Sequence, residues 1–163
     1  FNILYLIGIT IGFFVLAALV SQVLPEQEND FLKMLQSSKS AVYIVAIMAT
    51  LTAPLVEEVV YRGIMYSAFQ RTFGIPVAVF LVTLLFAAVH VPQYYPSYST
   101  ILMICLLSLV LTMIRVKSEN LLPCIILHTI FNGVQSIALV VGTFYDQKPV
   151  IENAQPALSY FLN

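Results

Sequence analysis

Five long apolar runs, separated by short polar breaks, constrain this chain more than any other feature: residues 1–24, 41–72, 76–91, 100–114 and 121–143. Apolar runs that approach 20 residues match the ~30 Å hydrocarbon core of a bilayer and read as membrane spans. Composition points the same way. The 163 residues are 60% apolar and 9% charged, against about 45–50% and about 25% in soluble domains. With a mean hydropathy of +0.94, an ordinary soluble core is excluded. The expected fold class is all-α, a multi-pass transmembrane helical bundle of about five helices enclosing a polar intramembrane site. A net charge of −1 provides no basic surface for nucleic acid.

Read along its length, the chain opens with a transmembrane helix over 1–24. Phe1 is not an initiator Met, and the run has neither a basic leader nor a small-residue cleavage site, so we expect it to belong to a longer N-terminal region. Gly8 and Gly12 have a spacing that allows close helix contact. Residues 25–40 read as a polar loop. As one rod, residues 41–72 measure about 48 Å at 1.5 Å per residue, too long for the bilayer core, and Pro54 is the natural kink. A turn is expected at Gly74-Ile75-Pro76, and Pro92 is expected to end the next span. Tyr94, Tyr95 and Tyr98 suit a membrane interface. Asn120 and Pro123 fit the start of the last helix. Residues 41–143 form the expected membrane core and 144–163 a polar C-terminal tail. Basic residues divide evenly between the two faces, so charge does not orient the chain. Cys105 and Cys124 lie in apolar runs and read as small buried hydrophobes.

Glu57, Glu58 and Arg62 interrupt an apolar stretch. A charge near a helix centre costs roughly 2.5–3.5 kcal/mol on the insertion scale, so three must be paired, solvated or used. Glu58 and Arg62 share a helix face at i,i+4 and read as an ion pair. Glu57 lies about 100° round the helix with no basic residue at i+3 or i+4. It is the candidate general base.

His90 and His128 are the two histidines, and both fall in apolar spans, where ionisable groups are scarce and usually functional. Asn132 and Gln135 continue a polar stripe from His128, and Thr83 and Phe86 share the face of His90. Depth is consistent with convergence. Glu57 precedes Arg71 by 14 residues and His90 follows Pro76 by 14, about 21 Å from the intervening turn in each case. His128 and Asn132 lie about 12 and 18 Å beyond Asn120 on the same rise. If the two turns lie on one membrane face, all four groups share a band.

The motifs Glu57-Glu58-Val59-Val60-Tyr61-Arg62, Phe86-Ala87-Ala88-Val89-His90 and His128-Thr129-Ile130-Phe131-Asn132 fit EExxxR, FxxxH and HxxxN in order. In this the chain resembles the CAAX prenyl endopeptidase and bacteriocin-processing (CPBP, or Abi) family of intramembrane proteases, over roughly residues 41–143. The resemblance implies that Glu57, assisted by His90, activates the attacking water. It implies that His128 and Asn132 hold the oxyanion, and that Glu58 and Arg62 support them. Two donors on one helix face can converge on a developing oxyanion.

The resemblance also implies a peptide or protein substrate, lipidated in CAAX-type members and leader-like in bacteriocin-type ones, and a place in the cell membrane. No cofactor is favoured. The alternative is a zinc metalloprotease with Glu57, His90 and His128 as ligands, although HExxH is absent. A non-catalytic membrane scaffold or bacteriocin-immunity protein is a second alternative. An ion or proton transporter is a third, for which inverted repeats are lacking.

Overall fold

In the computed structural model, which describes residues 2–145, the chain is a bundle of six helices with no strand among the described residues. Five are long and apolar enough to cross a membrane: α1 (Ile3–Val23), α3 (Lys39–Phe73), α4 (Ile75–Tyr94), α5 (Tyr98–Ser118) and α6 (Leu122–Tyr145). A short α2 (Asp30–Ser37) lies between the first two. The polar tail expected from the sequence falls mainly at 146–163, outside the described residues.

Local chemistry sets the helix ends. Asn29 caps α2 by accepting from the Leu32 amide at 2.8 Å, and Ser38 caps α3 by accepting from that of Ala41 at 3.2 Å. Gly74 ends α3 at φ +81°, a left-handed conformation that favours glycine, and Pro76 sits in the first turn of α4. After α5, Glu119 turns left-handed (φ 51°), and Asn120 Oδ1 accepts from the Leu122 amide at 2.9 Å to start α6.

Three sequence expectations shift. The loop expected at 25–40 contains α2, because Asn29 supplies a cap and Leu35 buries against the bundle. Pro92 does not end α4, which continues to Tyr94. The missing amide costs one hydrogen bond near the helix end, and the Tyr95 amide closes on the Val91 carbonyl at 2.9 Å. No atom lies within 4 Å of a side chain built at Gly8 or Gly12, so that spacing makes no close helix contact among the described residues.

Long α3 is not a uniform rod. Two π-helical turns, Met48–Thr52 and Val59–Met65, flank the α-helical segment Ala53–Glu58. Pro54 begins that middle segment, so the expected disruption is a change of helical pitch rather than a break. Insertions of this kind often mark functional sites.

Polarity is distributed as a bilayer requires. Apolar side chains such as Ile44, Ile64, Phe80 and Ile137 face outward, while Glu58, Arg62, Ser108 and Thr112 are completely buried. One apolar core joins α1, α5 and α6 around Leu107, Leu111, Leu127 and Phe131. A smaller one packs Tyr66 against Ala78 and Val82, fixing the end of α3 on α4.

Candidate active site

Glu58 and Arg62 lie on either side of the junction where α3 passes from α- to π-helical pitch, and they point into the bundle. Arg62 Nη1 donates to Glu58 Oε1 at 2.9 Å, and neither side chain has any exposed surface. The rest of the guanidinium is held from α5. Its Nη2 donates to the Ser108 hydroxyl at 2.8 Å and to the Ser108 carbonyl at 3.0 Å, and its Nε reaches Thr112 Oγ1 at 3.4 Å. Arg62 also lies 4.5 Å above the ring of Phe86, so α4 contributes a cation–π contact. Removing a charge from water is costly unless it is paired and hydrogen-bonded, and three helices meet that requirement here.

The same Glu58 oxygen holds His128. His128 Nδ1 lies 2.8 Å from Glu58 Oε1, and its Nε2 lies 3.9 Å from Glu57 Oε2. His128 is thus placed between two carboxylates of different character. Glu58 is sealed, with Oε2 buried and lacking a hydrogen-bond partner, whereas the Glu57 side chain is 26% exposed. A carboxylate oxygen accepts, so Nδ1–H is the donor. Nε2 then faces Glu57, and can donate only from the imidazolium form.

His90 joins through Phe86. Its Nδ1 lies 2.7 Å from the Phe86 carbonyl one turn back, which makes Nδ1 the protonated nitrogen and leaves Nε2 as an acceptor in the neutral ring. The Phe86 ring packs 4.7 Å from His90 and 6.0 Å from His128. No hydrogen bond joins His90 to either glutamate.

Asn132 lies one turn beyond His128, and its Nδ2 donates to the Ala49 carbonyl at 2.9 Å. Nearby, Thr50 Oγ1 donates to Ser136 Oγ at 3.0 Å and Ser136 Oγ to the Ala46 carbonyl at 3.3 Å, forming a polar seam between α3 and α6. Asn132 and Ala49 also lie on the wall of a largely apolar cavity of about 800 Å³ with Phe13, Phe131 and Tyr94. Glu57, Glu58, His90 and His128 do not line it.

The structure therefore gathers Glu57, Glu58, Arg62 and His128 directly, brings His90 to them through Phe86, and ties Asn132 to the first π-turn. Sequence reading missed Ser108 and Thr112. Their i,i+4 spacing on an apolar span was a usable signal, because an intramembrane arginine needs more acceptors than one glutamate supplies. Phe86 was noted for sharing a face with His90 and for opening the FxxxH motif, and its contact with Arg62 depends on tertiary packing.

The alternative zinc ligands Glu57, His90 and His128 are not drawn together as a set. Among the described residues, no three His, Cys, Asp or Glu side chains are gathered so that they could hold a metal ion. His128 and His90 each have Nδ1 engaged, by Glu58 and by Phe86, which leaves Nε2 as the nitrogen of each ring open to a ligand. The orphaned oxygen, Oε2, belongs to Glu58, which is outside that ligand set. Glu57, His90 and His128 therefore form no three-residue cluster in this arrangement.

Residues 39–134, well over half of the chain, match the family of type II CAAX prenyl endopeptidases described as Rce1-like. The chain belongs to this family. The match covers all three motifs and agrees with the CPBP resemblance. As an Rce1-like protein it is an integral membrane protease of the CAAX type, acting on peptide or protein substrates. No curated protein and no solved structure matches the chain.

Proposed function

We propose that this Rce1-like protein is a glutamate-type intramembrane endopeptidase of the cell membrane, with its catalytic core in residues 41–143 and no metal in the reaction. Glu57, assisted by Nε2 of His90, takes a proton from water as the oxygen attacks the scissile carbonyl. The oxyanion is held by Nε2–H of the His128 imidazolium and by the Asn132 amide. As the intermediate collapses, Glu57 returns the proton to the leaving amine. Glu58 and Arg62 hold His128 in place, much as a buried carboxylate orients the histidine of a catalytic triad.

The observation carrying this reading is the placement of His128 between a sealed, arginine-anchored Glu58 and a reachable Glu57. Such a division suits one carboxylate to orientation and the other to proton transfer. The substrates proposed are CAAX-type prenylated peptides or leader-like peptides of the bacteriocin type. The large apolar cavity meeting the site at Asn132 has room for the apolar part of such a substrate.

The test is a substitution panel assayed with farnesylated CAAX and leader-type peptides in detergent. Glu57→Ala and His90→Ala are expected to lose cleavage while still inserting into membranes. Full cleavage by Glu57→Ala would remove the mechanism. Retention of full biological activity by both variants would favour the scaffold reading.

A further inference from the structure

The contact that holds Asn132 is unusual in its origin. In an α-helix the Ala49 carbonyl would accept from the amide of residue 53, and in a π-helix from that of residue 54. Neither donor is available. The Ala53 amide donates to Met48, five residues back, and residue 54 is proline, which has no N–H. Ala49 is left with a carbonyl that lacks both of these helical donors, inside a bundle where buried carbonyls need partners. Asn132 Nδ2 occupies that carbonyl from α6 at 2.9 Å.

We infer that Pro54 and the Ala49 carbonyl are positioning groups for Asn132: the proline keeps the carbonyl free, and the carbonyl fixes the amide so that its second N–H is aimed at the reacting centre. This rests on the oxyanion role proposed above for Asn132. A primary amide has two N–H donors; Ala49 takes one, which fixes the amide plane and the direction of the other. An oxyanion donor is effective only when it is fixed before charge develops. Ala49 and Asn132 both border the apolar cavity, so the oriented amide stands where a substrate enters from that side.

Pro54→Ala tests this: alanine is the best helix former and proline the worst, and that gain opposes the cavity left where the buried ring packs. The substitution restores an amide that competes with Asn132 for Ala49. A purely structural proline would show unchanged kcat, whatever the change in Tm. The inference expects kcat on a farnesylated, internally quenched CAAX peptide lower by about 10-fold or more with KM unchanged, at temperatures where the variant remains folded, and short of the roughly 10²–10³-fold loss for deleting an oxyanion donor. Pro54→Ala should add little in an Asn132→Ala background.

Wild-type kcat in Pro54→Ala, beside an impaired Asn132→Ala, overturns the inference and leaves the oxyanion reading standing. Additive losses in the double variant also overturn it. Full activity in Asn132→Ala removes both. Independently of turnover, the side-chain amide resonances of Asn132 should shift in Pro54→Ala, and unchanged resonances contradict the inference.

Discussion

His128 Nδ1 lies 2.8 Å from Glu58 Oε1, a contact that fastens the fifth spanning helix to the middle of the second across 70 residues of sequence. Glu58 is in turn held by Arg62, and Arg62 by Ser108 and Thr112, so the orientation of one imidazole depends on a chain of contacts reaching the fourth spanning helix. Each link can be broken separately.

The two adjacent glutamates should separate activity from stability. Glu57 is partly exposed and makes no short hydrogen bond, so Glu57→Ala should leave unfolding in detergent within about 1 kcal/mol of wild type while abolishing cleavage. Glu58→Ala strips the partner from a buried arginine and should cost about 3–5 kcal/mol as well as activity. Chemical unfolding of the two variants under identical conditions checks this.

Arg62→Met takes from buried Glu58 its arginine partner and leaves His128 as its one charged neighbour, and a loss of about 3–5 kcal/mol is expected. The double variant Glu58→Leu/Arg62→Met removes both charges and should be more stable than Arg62→Met alone. A double-mutant cycle in detergent measures the coupling, and additive losses would contradict a direct pair.

Ser108→Ala removes one acceptor of the guanidinium and leaves the backbone carbonyl as the other. A cost of about 1–3 kcal/mol is expected for a hydrogen bond to a buried charge. Thr112→Val should cost less, since that contact is longer at 3.4 Å. Thermal denaturation of the two variants ranks them.

Much of this was legible in the sequence. The number of spanning helices and the Glu58–Arg62 pair follow from run length and i,i+4 spacing, which are local properties. Which face of the last helix meets the second spanning helix is not local, so the sequence put His128 on a spanning helix but did not identify Glu58 as its partner. The bond from Asn132 to Ala49 was further out of reach. It depends on a π-turn that shifts the hydrogen-bond register around Pro54, and periodicity at 3.6 residues per turn has no term for such a shift. Pro92 shows the opposite error, a strong local breaker tolerated because the helix had only a short way to run.

The two cysteines should differ in reactivity. Cys124 is fully buried and donates from Sγ to the Leu111 carbonyl at 3.4 Å, whereas Cys105 is half-buried. N-Ethylmaleimide in mild detergent should label Cys105 well before Cys124, as read by mass spectrometry of the peptides. Equal labelling rates would contradict the packing of the last two spanning helices.

The measurement that bears most directly on the central claim is peptide cleavage by purified protein, wild type against Glu57→Ala, with and without a strong chelator. The account predicts turnover of a farnesylated CAAX peptide that requires Glu57 and survives chelation. Cleavage lost on chelation and restored by zinc, or undiminished in Glu57→Ala, would contradict it.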